Sequence, residues 1–227
     1  DKNGDLELVQ LSNFLDKETK LLAISHISNT LGTIHPLDEI IELAKRKDIP
    51  VLVDAAQSAC HFEIGVNPLN CDFLTFSGHK MFGPFGIGIL QVSEKYIADM
   101  MPYNYGGGII KDVKVEETSF RNFPHNLDAG TPNVSSVIGL AAALKFISGI
   151  GKSAMRSHLN KLTLYALDQL PQVPVIKIIG NPKKRIGIIS FNLKNIHPHD
   201  IASFLNKDDI ALRAGMHCTQ PLLNAMG

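Results

Sequence analysis

The sequence has few cysteines, no excess charge of either sign and no long apolar run, and each absence narrows the class of protein. Three cysteines, Cys60, Cys71 and Cys218, are too few and too scattered for a disulfide framework or a paired CxxC metal site. We therefore expect a reducing, cytoplasmic setting. Its 22 basic and 22 acidic side chains give zero formal net charge, which argues against a nucleic-acid or an anionic-membrane partner.

Every uninterrupted apolar segment is strand-sized, and none reaches the length of a membrane span. The 227 residues are 44% hydrophobic and 19% charged, which is enough apolar content for a substantial core in one or two domains. The chain begins at Asp1 rather than at a methionine, and it stops at Gly227 with no closing element after it. We expect it to be a fragment of a longer protein.

Strand and helix patterns alternate along the first 170 residues. Pro36–Arg46 is predicted to be a helix, because its apolar residues recur at three- and four-residue steps. Short connections between strand, helix and strand favour an α/β fold with a mostly parallel sheet. The predicted strands are Leu21–His26, Ile49–Asp54, Asp72–Phe76 and Gly86–Val92, and two longer helices are predicted over Ser135–Gly149 and Lys152–Leu170.

The composition changes near Pro171-Gln172-Val173-Pro174, which indicates a domain boundary. Beyond it, regular structure is predicted for a small α+β unit over Val175–Ile179, Ile186–Leu193, Pro198–Asn206 and Ile210–Arg213. We therefore divide the chain into a large domain, residues 1–170, and a small C-terminal domain, residues 171–227.

Lys80 lies on the short loop Ser77-Gly78-His79-Lys80, directly after a predicted buried strand. A lysine among hydroxyl and imidazole donors is what a Schiff base with pyridoxal phosphate requires. Ser77 and His79 could bind a phosphate through a hydroxyl and an imidazole N–H, although an ordinary turn would use the same residues. The glycines after Lys80 are expected to let the backbone pass close to other elements.

Asp54 closes the preceding predicted strand, so its carboxylate should stand at the carboxyl edge of the sheet, where open α/β sheets bind ligands. There it could pair with a protonated pyridine nitrogen, and Gln57 could donate to the ring oxygen. The alternative is that Asp54 caps a helix from Ala55 onward through backbone N–H groups. Asn29 follows the first strand at the same edge. It could contact the cofactor ring or a substrate carboxylate, or serve only as a turn residue.

Cys218 lies on a loop bounded by glycine and proline, next to His217 and near Arg213. An exposed, electropositive position favours the thiolate and hence a nucleophile. The alternative, a small buried apolar side chain, is assigned here to Cys60 and Cys71. A zinc site at Cys218 is disfavoured because no second pair of ligands accompanies it.

Four motifs occur in a fixed order: Val-Asp-Ala-Ala-Gln at 53–57, Ser-Gly-His-Lys at 77–80, Ala-Gly-Thr-Pro-Asn at 129–133 and Arg-Ala-Gly-Met-His-Cys at 213–218. Together they resemble the group II cysteine desulfurases of the SufS/CsdA type, in the class-V aminotransferase family. The resemblance covers nearly the whole chain. It implies the fold-type I architecture of pyridoxal-phosphate-dependent transferases related to aspartate aminotransferase.

The resemblance also implies an activity: removal of sulfur from L-cysteine, giving L-alanine and a persulfide for an acceptor, with iron–sulfur cluster assembly as its expected purpose. A homodimer and a SufE-like sulfur acceptor are the implied partners. The implied roles are the Schiff-base lysine for Lys80, the pyridine-nitrogen partner for Asp54, a bond to the ring oxygen for Gln57, phosphate binding for Ser77 and His79, phosphate binding across the dimer for Thr131, and sulfur acceptance for Cys218.

Two parts of the family pattern are absent from this sequence: an N-terminal segment with a phosphate-binding turn and a ring-stacking histidine, and a C-terminal arginine that binds the substrate carboxylate. Arg213 belongs to a different place in the motif and does not replace that arginine. We therefore expect the chain alone to bind the cofactor poorly and to turn over little. Two other possibilities stay open: a selenocysteine lyase or another fold-type I enzyme acting on L-selenocysteine or a related amino acid, and a non-enzymatic truncated scaffold.

Overall fold

The computed structural model describes residues 1–226. Helices and strands alternate in the first part of the chain, as the sequence predicts. The elements are α1 (Leu8–Phe14), β1 (Leu22–Ser25), α2 (Leu37–Lys45), β2 (Val51–Asp54), α3 (Val66–Leu69), β3 (Phe73–Ser77) and β4 (Gly88–Val92). They continue with β5 (Ile110–Val113), β6 (Thr118–Phe120), α4 (Val134–Ile150), α5 (Lys152–Gln169), β7 (Ile176–Ile179), β8 (Ser190–Leu193), α6 (Pro198–Leu205) and α7 (Gln220–Met226).

The central sheet has four strands in the order β1-β2-β3-β4. The pairs β1-β2 and β2-β3 are parallel, so the predicted mostly parallel sheet is confirmed. The pair β3-β4 is antiparallel. The chain turns back here because the connection between β3 and β4 carries only a single 3-10 turn, Gly78–Met81, and a parallel return needs a longer crossover.

The main core lies between this sheet and the helices around it. The predicted apolar face of α2 is confirmed, because Leu37, Ile40, Ile41 and Ala44 are all buried. They share the core with buried strand residues such as Val51, Val53 and Leu74. Burying each large aliphatic side chain stabilises the fold by about 1.5–3 kcal/mol. The apolar face that the periodicity creates therefore explains why α2 packs against the sheet.

The two long helices begin and end within one residue of their predicted bounds, on either side of Gly151. Asn133 caps α4 by accepting a hydrogen bond from the backbone N–H of Ser136. Within residues 1–226 no single helix is long and apolar enough to cross a membrane. Helix α4 and the segment Lys152–Gln172 reach that length and hydropathy only when taken together, and the two are bent by 75° relative to each other.

The C-terminal part contains an antiparallel pair, β7-β8, and the helix α6, as predicted. Regular structure at Ile210–Arg213 was the wrong prediction: this segment forms no helix or strand. Within the described residues it pairs with no strand, and Ile210 and Leu212 are exposed rather than packed. The helix α1 and the hairpin β5-β6 were not predicted. The division of the chain at residues 170 and 171 stays a prediction.

Candidate active site

The parallel strands end together at one edge of the sheet. Ser25, Asp54 and Thr75 are register partners across β1, β2 and β3. A cleft of about 450 Å³ opens at this edge. Within the described residues it is lined by Asp54, Ala56, Thr75, Phe76, Ser77, Gly88, Ile89 and Leu90. The carboxyl edge of the sheet is therefore a candidate ligand site, as the position of Asp54 predicted.

The helix that Asp54 was expected to cap is not formed, because turns follow Ala55, but Asp54 does accept a backbone hydrogen bond there. Its Oδ1 accepts a hydrogen bond of 2.8 Å from the backbone N–H of Ala56, which stabilises the turn after β2. The carboxylate is also exposed and lines the cleft. Gln57 follows in the same turn, is half-buried and lies outside the cleft lining.

Ser77 ends β3 and lines the cleft, and the Gly78–Met81 turn that carries Lys80 follows at once. Gly78 donates a backbone hydrogen bond of 2.9 Å to the carbonyl of Ile87, and a Cβ at Gly78 would lie 2.7 Å from Cγ2 of Ile87. After Lys80, a Cβ at Gly83 would lie 2.8 Å from the carbonyl oxygen of Gly78, so the close approach predicted for the glycines there is confirmed. Met81 is buried in the main core and anchors the turn, while Lys80 is exposed.

The loop after Lys80 is braced by the start of α4. His79 is exposed, and its ring stacks on Phe85 with 5.4 Å between ring centroids. The hydroxyl of Ser136 donates to the Phe85 carbonyl at 3.2 Å, and the Asn133 amide donates to the Gly86 carbonyl at 3.2 Å. Thr131 is exposed just before α4 and contacts none of the other predicted site residues by a hydrogen bond within residues 1–226.

Asn29 joins this edge of the sheet to the Cys218 loop. Its side-chain amide donates a hydrogen bond of 2.8 Å to the carbonyl of His217. The next residue, Thr30, lies 2.6 Å from Thr219 between hydroxyl oxygens. A segment that follows β1 thus contacts the residues on both sides of Cys218, although the two segments lie far apart in sequence.

The three cysteines divide as the sequence predicted: Cys218 is exposed, and Cys60 and Cys71 are buried. Burial raises the pKa of both buried thiols, that of Cys71 to about 11, so these two stay protonated and inert near neutral pH. Burial, followed by the positive charge of Arg213, lowers the pKa of His217 and favours a neutral imidazole beside Cys218.

Two features of the site were missed from the sequence. The residues of β4 that line the cleft could be assigned only once its antiparallel pairing with β3 was known. The contact between Thr30 and Thr219 had no local signal at all, because it joins residues 189 positions apart.

Among residues 1–226 no group of three or more histidine, cysteine, aspartate or glutamate side chains is placed to hold a metal ion.

This chain belongs to the aminotransferase class-V family, whose pattern matches residues 1–227. Over 222 residues it is 42% identical to a probable cysteine desulfurase of Halalkalibacterium halodurans, covering 98% of this chain and 54% of that protein. It is 45% identical over 222 residues to a cysteine desulfurase of Escherichia coli O8, covering 97% of this chain and 54% of that protein. The chain therefore spans about half the length of the curated relatives it matches.

Solved structures show the same likeness. The apo cysteine desulfurase of Thermococcus onnurineus NA1 superposes with a TM-score of 0.89 at 39% identity, covering 100% of this chain and 57% of that one. The cysteine desulfurase CsdA of Escherichia coli superposes with a TM-score of 0.91 at 33% identity, covering 97% of this chain and 55% of that one. These similarities confirm the expected fold class and the resemblance to cysteine desulfurases.

Proposed function

We propose that this chain carries the cofactor site and the sulfur-accepting cysteine of a cysteine desulfurase that uses pyridoxal 5′-phosphate and L-cysteine. The observation that carries the proposal is the hydrogen bond from Asn29 to the His217 carbonyl. It ties the loop that carries the exposed Cys218 to the segment after β1, the strand whose Ser25 is the register partner of Asp54. The 42–45% identity to proteins named as cysteine desulfurases supports the same conclusion.

The side chains at the sheet edge suit this cofactor. Within residues 1–226, Asp54 keeps one carboxylate oxygen without a hydrogen-bond partner, and Ser77 and Lys80 use none of their side-chain hydrogen-bonding capacity. The Asp54 carboxylate and the Ser77 hydroxyl line the cleft, and the Lys80 amine lies on the turn that follows β3. These are the groups that a pyridine nitrogen, a phosphate and an aldehyde require. A solved relative with 26% identity and a TM-score of 0.80 has glycine covalently linked to its PLP cofactor.

Each predicted residue then has a defined task. Lys80 would hold the cofactor covalently through Nζ, and Asp54 would accept a hydrogen bond from the protonated ring nitrogen. Gln57 would donate to the ring oxygen, and Ser77 and His79 would donate to the phosphate. When bound, pyridoxal phosphate supplies an electron sink for negative charge at the substrate Cα.

Proton and sulfur transfer fall to two side chains. Nζ of Lys80, once released, removes the proton from the substrate Cα. The Cys218 thiolate attacks the substrate sulfur, so that an S–S bond forms as the Cβ–S bond breaks, and the electron pair of the broken bond is protonated at Cβ. Nζ of Lys80 then returns a proton to Cα. The products are L-alanine and a persulfide on Cys218, which an acceptor thiol removes by thiol exchange.

The partners and setting follow from the same assignment. Thr131 would reach the phosphate in the other subunit of a homodimer, which is consistent with its exposure and with its lack of side-chain hydrogen bonds within residues 1–226. A SufE-like protein would accept the sulfur, with iron–sulfur assembly as its destination. Free, reduced thiols suit a cytoplasmic location.

The test is an alanine-release and persulfide assay on the full-length protein that carries this sequence. Lys80→Ala should abolish both alanine release and the visible cofactor absorbance, whereas Cys218→Ser should abolish release and leave the absorbance. Lys145→Ala and Cys71→Ala are matched controls, because Lys145 is exposed on α4 and Cys71 is buried away from the cleft. Retained activity of Cys218→Ser on L-selenocysteine would instead favour a selenocysteine lyase.

A further inference from the structure

Thr30 and Thr219 form a hydroxyl pair beside the Cys218 loop. Their Oγ1 atoms lie 2.6 Å apart, and Thr30 is only 1% exposed. Thr219 Oγ1 also donates to the carbonyl of Met216 at 3.2 Å, which uses its single proton. Since the Met216 carbonyl is nearer to Thr219 than the Asn29 side-chain oxygen is to Thr30, at 3.2 against 3.4 Å, we assign Thr30 as the donor to Thr219. The two hydroxyls then form a short chain that ends inside the loop.

Thr30 is itself held firmly on the other side. Its backbone carbonyl accepts a hydrogen bond of 2.6 Å from the hydroxyl of Ser190, the first residue of β8. Its own hydroxyl has one alternative acceptor, the Asn29 side-chain oxygen at 3.4 Å, which is a poor hydrogen bond. Loss of the Thr219 oxygen would leave a buried hydroxyl almost unsatisfied, so the pair is coupled energetically.

The loop needs such support because its backbone is strained at the cysteine. His217 and Cys218 both have left-handed conformations, with φ of 51° and 62°. Non-glycine residues adopt this region rarely, and two in succession persist only where surrounding contacts hold them. The contacts from Asn29 to His217 and from Thr30 to Thr219 bracket Cys218 on both sides.

We propose that Thr30 and Thr219 are positioning residues for Cys218: their hydroxyl–hydroxyl hydrogen bond fixes the strained loop so that Sγ of Cys218 is aimed at the substrate sulfur. The inference rests on the proposed function, because it assumes that Cys218 accepts sulfur. The pair acts on the orientation of the thiol and not on substrate or cofactor binding. It therefore affects the rate of persulfide formation and not the KM for L-cysteine.

The experiment uses the full-length protein loaded with cofactor. Thr30→Val and Thr219→Val keep the side-chain shape and remove one hydroxyl each, whereas Thr30→Ser and Thr219→Ser keep the hydroxyl. Thr118→Val, at an exposed threonine of β6, is the matched control. Three quantities are measured: the single-turnover rate of persulfide formation on Cys218, the KM for L-cysteine, and hydrogen exchange of the peptide covering residues 214–222.

Each valine variant should lower the persulfide rate by about threefold to tenfold, the loss expected for one hydrogen bond. KM and the cofactor absorbance should change less than twofold, and exchange at residues 214–222 should speed up by a similar factor. The double valine variant should be no slower than the worse single variant, because both remove the same bond. The serine variants should restore the wild-type rate.

Wild-type rates in both valine variants, or fully additive losses in the double variant, would overturn the positioning role. If Thr30→Val fails to fold, Thr219→Val still decides, because Thr219 is only half-buried. Wild-type protein that releases alanine with no persulfide on Cys218 would refute the proposed function itself. That outcome is distinguishable from a normal persulfide yield that the valine variants leave unchanged.

Discussion

Asp72 and Lys95 form an ion pair at the end of β3 opposite the Lys80 turn, with 2.6 Å between Oδ1 and Nζ. The aspartate is buried, whereas the lysine is largely exposed. The other carboxylate oxygen, Oδ2, accepts a hydrogen bond of 2.8 Å from the backbone N–H of Val51. Asp72 therefore ties β2, β3 and the segment after β4 together.

Replacing Asp72 should cost more stability than replacing its partner. Asp72→Ala leaves the buried Val51 N–H without an acceptor, which lowers the free energy of unfolding by about 2–3 kcal/mol. Lys95→Met removes a partner that is largely in water, and we expect a loss of about 1 kcal/mol or less. Urea denaturation of the two variants measures both values. A larger loss in Lys95→Met would contradict this assignment.

The turn that carries Lys80 should not tolerate a side chain at Gly78. Gly78→Ala places a Cβ against Ile87, so we expect a loss of about 1–3 kcal/mol from overpacking and a weaker visible cofactor absorbance. Gly149→Ala is the matched control, because no atom lies within 4 Å of its Cβ and α4 gains about 0.5–1 kcal/mol from alanine. Thermal melts and absorbance titrations compare the two. Equal melting temperatures and equal cofactor absorbance in the two variants would show that the close approach at Gly78 has no consequence.

His26 should make the protein sensitive to mild acid. It is buried, and burial, followed by repulsion from His35, lowers its pKa from 6.5 to about 4. Between pH 6.5 and 4 the unfolded chain binds more protons at this histidine than the folded protein does. The free energy of unfolding is therefore highest above about pH 6.5 and falls by up to about 3 kcal/mol as the pH is lowered towards 4. Urea denaturation from pH 7.5 to 4.5 measures the slope.

A substitution at His26 tests the source of that slope. His26→Gln should flatten it, whereas His158→Gln, at an exposed histidine of α5, should leave it unchanged. An unaltered slope in His26→Gln would assign the acid sensitivity to other groups.

Alkylation should distinguish the three thiols. Iodoacetamide added to the folded protein at pH 7.5 should label Cys218 first, because Cys60 and Cys71 are buried and burial raises the pKa of each. We expect labelling of the buried pair to be at least about a hundredfold slower, since it requires local opening. Peptide mass spectrometry gives the rates, with urea-unfolded protein as the control in which all three react. Early labelling of Cys60 would contradict the packing around the sheet.

The sequence predicted the parts of the fold that depend on local patterns. The buried face of α2 follows from the spacing of Leu37, Ile40 and Ala44, and the position of Asp54 follows from where its strand ends. Each of these features depends on residues only a few positions apart, so hydrophobic periodicity alone is sufficient to predict it.

Non-local contacts decided the rest. The antiparallel direction of β4 depends on the turn before it, and Ile210–Arg213 is irregular and pairs with no strand among residues 1–226. The hydrogen bond between Thr30 and Thr219 could not be predicted, because nothing in the sequence around either threonine indicates that the two are in contact. Such contacts are fixed by tertiary packing, which no window of the sequence contains.

The distance along the chain between Asn29 and His217 has a consequence for biosynthesis. Asn29 precedes its partner by 188 positions. A nascent chain that folds from its N-terminus forms the sheet edge with Asp54 and the Lys80 turn well before the ribosome adds Cys218. Under the proposed function, the residues that would hold the cofactor are therefore in place before Cys218 is synthesised, and persulfide formation requires the later docking of the loop that carries Cys218.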